Sequence, residues 1–291
     1  MNGLKDKVTA IGVNSNGTIA AAANGPAQRV ELLLDAKSAK YTRQVSGEDG
    51  PGEVVVWDMA SGKIRTTFRD HIRPVTSIAI SPDGAIVASA SAKENVLRLW
   101  DSATGNKHIT VEGRFGMLAF APDGETLLAR RATVAEDQSA NKHVAINVKT
   151  SRFSMVVPNP EGRFRYHQFS PDARTFIRYG PKEVDSSESS MAQIVDVQTG
   201  KIEKVFEESR GLIGAVAWGP GPGRLTTASD QHNIRVWDIA SCSVIRTHVY
   251  GESGFPRVWL SKDGRKLGYL SSDSHGDLQL CNVERLPVMG Q

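Results

Sequence analysis

The stretch VLRLWDSATG at residues 96–105 alternates apolar and polar residues, reaches a Trp-Asp pair and then enters a run of small residues. The alternation predicts a β-strand, and the Ser, Thr and Gly that follow predict a turn. The same pattern recurs in VVVWDMASG (54–62) and IRVWDIASC (234–242). Weaker copies are VAINVKTS (144–151), AQIVDVQTG (192–200) and LQLCNVERL (278–286). The sequence therefore predicts a repeated β unit.

The composition suits a globular chain with a large core. The 291 residues are 40% hydrophobic and 23% charged, and the formal net charge of +3 is too small to indicate a nucleic-acid partner. No apolar run approaches the roughly 18 residues of a membrane helix, and MNGLKDKVTAIGV at the N-terminus lacks the apolar segment of a signal peptide. The two cysteines, Cys242 and Cys281, suit neither a disulfide framework nor a zinc site. We expect a cytoplasmic protein without a metal or cofactor.

Turn signals divide each unit into four strands. Short hydrophobic strands precede Asn16-Gly17, Asp83-Gly84, Asp123-Gly124 and Asp263-Gly264. Such pairs supply the positive φ angles of two-residue hairpin turns, so we predict a tight hairpin at each. The unit then consists of strands A to D, and the Trp-Asp pair ends strand C. The Trp position falls at residues 57, 100, 146, 195, 237 and 281, in steps of 42 to 49 residues. Four short strands in a period of roughly 40–45 residues are typical of a β-propeller blade.

On these residues the sequence resembles the WD40-repeat family over nearly its whole length, most specifically in SPDGAIVASASAKENVLRLWD (81–101). The resemblance implies an all-β propeller of four-stranded antiparallel blades. It also implies one structural tetrad of hydrogen-bonded residues, in which Glu94 replaces the usual Asp: His71, Ser89, Glu94 and Trp100. The other repeats place Leu4, Val111, Pro160, Ser209 and Gly251 where this His stands.

We expect residues 1–291 to form a single WD40-type propeller. Residues 24–53 do not fit the pattern of four strands per repeat. They are either an insertion in the first blade or a degenerate half-repeat, because RVELLLDAKSAKYTRQVSG (29–47) can be aligned on NVLRLWDSATGNKHITVEG (95–113). A half-repeat without inner strands would leave unpaired backbone at the propeller axis. The sequence therefore favours six blades, and seven stay open.

No catalytic motif is present. The chain lacks HExxH, a Walker GxxxxGK[ST] and a GxGxxG, and its seven His residues are scattered. The glycine-rich stretch 219–223 contains prolines, which remove amide donors that a phosphate would need. We therefore expect no enzyme. The alternatives are a propeller enzyme with an axial active site, and a subunit or fragment of a larger propeller assembly.

Loop length and charge point to a binding face. The B–C connections are lengthened at 24–53, 130–143 and 179–191, and insertions confined to one connection mark the binding face of a repeat protein. The D–A connections and the starts of strand A are basic, with Lys7, Arg73, Arg114, Arg163, Arg165, Arg210 and Arg257. In the WD40 family the D–A and B–C loops share one face.

We expect a protein-protein interaction scaffold that binds an acidic or phosphorylated protein segment on this face, alone or as a subunit of a complex. Arg side chains match carboxylate and phosphate oxygens. No membrane contact is expected. Nucleic acid is disfavoured because no basic stripe with interleaved aromatic residues runs along the sequence.

Overall fold

A computed structural model describes residues 8–14, 16–24, 29–35, 40–46, 50–132, 142–158, 164, 166–182, 189–208, 211–231, 233–249, 258–261, 264–270 and 278–285. The chain divides into two compact units, Met1–Pro158 and Asn159–Gln291. Among the described residues there is no helix with the length and apolar character needed to cross a membrane.

The described part of unit 1 forms three four-stranded antiparallel sheets and a separate hairpin. Sheet 1 consists of β1 (Val8–Val13), β2 (Ile19–Asn24), β5 (Gly52–Asp58) and β6 (Ile64–His71). Sheet 2 consists of β7 (Ser77–Ile80), β8 (Ile86–Ser91), β9 (Val96–Asp101) and β10 (Lys107–Glu112). Sheet 3 consists of β11 (Arg114–Phe120), β12 (Thr126–Ala132), β13 (Lys142–Asn147) and β14 (Phe153–Pro158).

The segment 24–53 contains the separate hairpin of unit 1. Among the described strands, β3 (Arg29–Asp35) and β4 (Lys40–Ser46) pair only with each other, while β2 pairs directly with β5. The hairpin therefore lies in the chain between the second and third strands of sheet 1. The domain assignment as a whole stays a prediction.

The residues that the structure describes in unit 2 form three further sheets. Sheet 4 consists of β15 (Tyr166–Phe169), β16 (Thr175–Pro181), β17 (Ser190–Asp196) and β18 (Ile202–Glu208). Sheet 5 consists of β19 (Ile213–Trp218), β20 (Arg224–Ser229), β21 (Asn233–Asp238) and β22 (Ser243–Val249). Sheet 6 has three described strands, β23 (Val258–Leu260), β24 (Lys266–Leu270) and β25 (Leu278–Asn282), followed by a 3-10 helix at Val283–Arg285.

The expected all-β architecture of four-stranded antiparallel propeller blades is confirmed. Five of the six main sheets in the described part of the chain have four strands, which pair in chain order as A to D. The number of blades in the whole chain stays a prediction.

The A–B turns belong to a longer class than the predicted two-residue turns. In sheet 2 the N–H of Ser81 donates to Ile86 O, and the N–H of Gly84 donates to Ser81 O. Only the glycine of the Asp83-Gly84 pair has a positive φ, of 75°. This is a type I turn closed by a left-handed residue, which differs from the primed turn that Asp-Gly favours in a two-residue loop.

Neighbouring sheets within each unit bury their faces against each other. Between sheets 1 and 2 the core includes Val54, Phe68, Ile80 and Trp100, all at most 6% exposed. Sheets 2 and 3, sheets 4 and 5, and sheets 5 and 6 share similar apolar seams. Strand C is buried on both faces because it lies inside such a stack, so Val54, Val55 and Val56 are all buried.

Candidate interaction face

The strands of each sheet are antiparallel, so strand A begins where strand B ends. The D–A connection and the B–C turn of a sheet therefore lie at the same end, which we call the D–A end. The A–B and C–D turns lie at the opposite end, which we call the A–B end.

The structure brings three of the four expected tetrad residues together at the D–A end of sheets 1 and 2. The imidazole of His71, the last residue of β6, lies with Nδ1 2.9 Å from Glu94 Oε2 and Nε2 2.8 Å from Ser89 Oγ. The side chains of His71 and Glu94 are 0% and 7% exposed. The contacts fix the end of β6 to the second strand of sheet 2 and to the turn that follows that strand.

Burial and hydrogen bonding together set the charge state of this set. Burial lowers the pKa of His71, and the hydrogen bond with Glu94 opposes the shift only in part. Burial alone would raise the pKa of Glu94, but hydrogen bonds from Arg98 and His71 outweigh it and hold that pKa below its usual value. At neutral pH the imidazole is therefore neutral and the Glu94 carboxylate is ionised.

Trp100 does not join the set by hydrogen bonding. Its indole Nε1 is buried and has no hydrogen-bond partner among the residues that the structure describes. Arg98 takes part in the set instead. Its guanidinium forms an ion pair with Glu94, and its Nη1 lies 2.8 Å from His71 Nδ1. Trp100 packs between the sheets, where its ring stacks on Phe68.

The cross-strand register shows what replaces Ser89 elsewhere. Ser89 lies opposite Arg98, two residues before Trp100. Counted in the same way from each Trp position, the equivalent residues of sheets 1, 3, 4 and 5 are Ala22, Ala129, Arg178 and Thr227. Among these four only Thr227 keeps a hydroxyl.

Sheet 5 uses a different polar arrangement at the same place. Trp237 Nε1 donates to Thr227 Oγ1 at 3.0 Å in a buried hydrogen bond. Glu208, the last residue of β18, is 1% exposed and forms an ion pair with Arg235. Asp230 accepts a hydrogen bond of 2.8 Å from the N–H of Leu212. A carboxylate from the preceding outer strand thus takes the place that His71 holds in sheet 2.

In sheet 4 a buried arginine, Arg178, occupies the position equivalent to Ser89. Arg178 is 3% exposed, and its guanidinium carbon lies 4.3 Å from the ring centroid of Phe164. Its Nε and Nη2 donate to Gln193 Oε1 at 3.0 and 2.8 Å. Burial lowers its pKa to about 10, which leaves the guanidinium charged at neutral pH. The charge is stabilised by the aromatic face and the amide.

At the A–B end, the C–D turns of sheets 1 to 5 are each capped by a side chain in the same way. The Asp101 carboxylate accepts hydrogen bonds from the N–H groups of Ala103 and Thr104 and from the Thr104 hydroxyl. These bonds lower the pKa of Asp101. Asp58, Asp196 and Asp238 cap their turns with a hydroxyl residue three positions on, and Asn147 does so as an amide. The Asp of the Trp-Asp pair therefore shapes the turn.

Two of the seven expected binding cations lie in the described part of the chain. Arg73 lies in the connection between sheets 1 and 2 and is half-buried. Arg114 is half-buried and is the first residue of β11, so it belongs to strand A and not to the preceding connection. The remaining five lie outside the described residues: Lys7, Arg163, Arg165, Arg210 and Arg257.

The connection between sheets 1 and 2 presents an apolar side chain to solvent. Ile72 is 68% exposed and lies between the buried His71 and Arg73. The backbone beyond it is packed tightly: a Cβ on Gly52 would lie 2.7 Å from Arg73 O and 2.8 Å from Val75 N. The connection is thus held on both sides of the exposed side chain.

Neither cysteine belongs to a disulfide. Cys242 and Cys281 are free thiols, and burial raises the pKa of Cys281. Among the described residues, no group of three His, Cys, Asp or Glu side chains could hold a metal ion.

Comparison with known proteins agrees with this architecture. The family model described as "WD domain, G-beta repeat" matches residues 62–101 and 200–238. Each match covers an outer strand and the first three strands of the next sheet, which includes the Trp100 and Trp237 positions. The resemblance to the WD40-repeat family is therefore confirmed.

Two of the three relatives described next are WD repeat-containing proteins by name. WD repeat-containing protein SL1-17 of Schistosoma mansoni is 26% identical over 191 residues, which are 64% of this chain and 58% of that protein. WD repeat-containing protein 1 of Mus musculus is 23% identical over 234 residues, with 78% and 37% covered. Actin-interacting protein 1 of Drosophila melanogaster is 23% identical over 220 residues, with 73% and 35% covered. The chain thus spans 35% to 58% of the length of these relatives.

Proposed function

We propose that this protein is a non-catalytic scaffold that binds another protein at the D–A end of its sheets. The observation that carries the proposal is Ile72, which is 68% exposed on a connection whose preceding residue is buried and hydrogen-bonded. An apolar side chain presented on fixed backbone loses little conformational freedom when a partner covers it. Interface cores are built from such apolar anchors.

The polar groups around this connection support a binding role. His71, Ser89 and Glu94 are engaged with one another in holding the fold. Beside this set, Ile72 is exposed and the following Arg73 is half-buried. A partner segment that combines an apolar residue with carboxylates would complement both.

An acidic segment of a protein, phosphorylated or not, is the partner that the charge pattern favours. Arg73 and Arg114 are described at or beside D–A connections. By the repeat pattern of the sequence, Lys7, Arg163 and Arg210 belong to D–A connections, whereas Arg165 and Arg257 lie at or inside strand A. Cations gathered at one end of a protein add their fields and steer anionic ligands. The names of the relatives support a protein partner, since one of them is an actin-interacting protein by name. We also propose that the binding takes place in the cytoplasm.

The experiment is a quantitative pull-down with the full chain as bait and mass spectrometry as readout. The test variant is Ile72→Asp, and the matched control is Met59→Asp, because Met59 is an exposed apolar residue at the A–B end of sheet 1. We expect a set of proteins that the wild type and Met59→Asp retain and Ile72→Asp loses. Equal retention by both variants, with unchanged melting temperatures, would refute the proposal.

A further inference from the structure

Two cations lie directly opposite each other at the D–A end of sheet 3. Arg131 in β12 pairs with Lys142 in β13. Directly opposed residues of antiparallel strands project from the same face, with Cβ atoms about 5 Å apart. Like charges in this arrangement destabilise a sheet. The pair therefore lowers the stability of the sheet, which indicates that it serves a purpose other than folding.

The structure gives this pair no neutralising carboxylate among the described residues. Neither Arg131 nor Lys142 takes part in an ion pair there. Arg131 is half-buried, whereas Lys142 is exposed. On the other side of Arg131 its cross-strand neighbour is Phe115 of β11, which carries no charge.

The guanidinium of Arg131 is held in position by its surroundings. Its central carbon lies 5.8 Å from the ring centroid of Phe115, which is 2% exposed. A Cβ on Gly113 would lie 3.0 Å from the Phe115 ring and 3.2 Å from Arg131 Nε, and Gly113 has a φ of 135°. Glycine therefore leaves the space that the guanidinium occupies. A pre-positioned guanidinium binds an oxyanion at a lower entropic cost than a free one.

We propose that Arg131 and Lys142 form a carboxylate-binding site for an acidic segment of a protein partner. This inference rests on the proposed function and adds two residues that the repeat pattern does not single out. In an extended peptide, alternate residues project from the same side and lie roughly 7 Å apart. Two long side chains on neighbouring strands can reach two carboxylates at that spacing. The segment that fits has acidic residues at alternate positions.

The test uses fluorescence anisotropy with the full chain and a short labelled peptide of alternating Glu and Gly. The matched probe has Gln in place of Glu. The variants are Arg131→Gln, Lys142→Gln and their combination. The charge-matched control is the combination of Arg174→Gln and Lys201→Gln, because both residues are exposed at the A–B end of sheet 4.

We expect the Glu peptide to bind with marked salt dependence and the Gln peptide to bind much more weakly. Removing both cations should weaken binding of the Glu peptide about five- to thirtyfold, because each exposed or half-buried ion pair contributes modestly. The control should change it less than twofold. Lys142→Gln should leave the melting temperature unchanged or raise it, since it relieves the repulsion. A lower melting temperature would contradict the inference that repulsion between Arg131 and Lys142 destabilises the sheet.

The outcomes separate this inference from the proposed function. If the double variant binds the Glu peptide like the wild type, the Arg131–Lys142 site is refuted, while the loss of partners by Ile72→Asp still supports the scaffold. If the wild type binds neither peptide, or binds a duplex DNA probe more tightly than the Glu peptide, the carboxylate site is refuted. If Ile72→Asp retains every partner, the proposed function fails whatever the peptide does.

Discussion

Phe68 of β6 and Trp100 of β9 stack across the seam between sheets 1 and 2, with ring centroids 4.7 Å apart and planes 10° from parallel. Both side chains are at most 4% exposed. Sheet 5 contains the equivalent pair, Phe206 and Trp237, in an edge-to-face arrangement at 5.7 Å. An aromatic pair from an outer strand and the next third strand therefore ties consecutive sheets together in both units.

The two tryptophans should respond differently to truncation of the indole. Trp100→Phe removes no hydrogen bond, whereas Trp237→Phe leaves Thr227 Oγ1 without its buried indole donor. We expect Trp237→Phe to lower the free energy of unfolding by about 1–2 kcal/mol more than Trp100→Phe does. Chemical denaturation of both variants measures the difference. Arg246→Ala on the exposed side of β22 is a surface control, expected within about 0.5 kcal/mol of the wild type.

Full truncation of Trp100 should be severe. Trp100→Ala opens a cavity in the seam between sheets 1 and 2 and removes the stack on Phe68. We expect a loss of about 3–5 kcal/mol. The same denaturation experiment tests this value, and a change below about 1 kcal/mol would show that the seam does not depend on the ring.

His71 should make stability depend on pH. Its pKa is lowered by burial in the folded chain, while in the unfolded chain it titrates near 6.5. Between these two pKa values the unfolded state binds more protons, so stability present above about pH 6.5 is lost as the pH falls. We expect a lower free energy of unfolding at about pH 5.5 than at about pH 7.5, and a smaller difference in His71→Gln. Equal pH dependence in both proteins would show that His71 is not the group responsible.

The turn caps explain the Asp of the Trp-Asp pair and can be tested at Asp101. Asp101→Ala removes the acceptor of three hydrogen bonds and should cost about 1 kcal/mol, since the turn is exposed. Asp101→Asn should be nearly neutral, because Asn147 caps the equivalent turn of sheet 3 with the same contacts. Thermal denaturation of the two variants is the measurement. Equal destabilisation by Asn and Ala would mean that the negative charge is required.

Arg235 and Glu208 should behave as a coupled pair. Arg235→Ala leaves a carboxylate that is 1% exposed without its guanidinium, and we expect a loss of about 3 kcal/mol. Adding Glu208→Gln to Arg235→Ala should recover part of that loss, because the remaining group is then neutral. A double-mutant cycle measures the coupling energy. Additive losses would show that the two charges do not interact.

The repeat, the four-strand unit and the place of Trp100 could be predicted from the sequence because each depends on local pattern. Alternation and turn residues define strands, and a large aromatic at the same position in three of the six units indicates packing between sheets. The class of the A–B turn was missed because an Asp-Gly pair fits both a primed turn and the last position of a type I turn.

The roles of Arg98, Arg235 and Glu208 were not predicted. Strand alternation gives the face of a side chain, but it does not say which groups of the neighbouring sheet it meets across a seam. The sequence does contain a feature that marks these ion pairs, because Trp100 and Trp237 each have an Arg two residues before them. Glu208 lies one residue before Ser209, the position that the repeat count assigns to His, so counting alone missed it.

The most direct test of the scaffold account is the affinity of the recovered partner for the combined variant Arg114→Glu, Arg163→Glu and Arg210→Glu. Isothermal titration calorimetry at low and moderate salt compares it with the wild type, after thermal melting has shown that the fold is intact. The account predicts that binding weakens at least tenfold at low salt and that its salt dependence largely disappears, because these three cations are proposed to attract an acidic segment. Unchanged affinity in a correctly folded variant would contradict it.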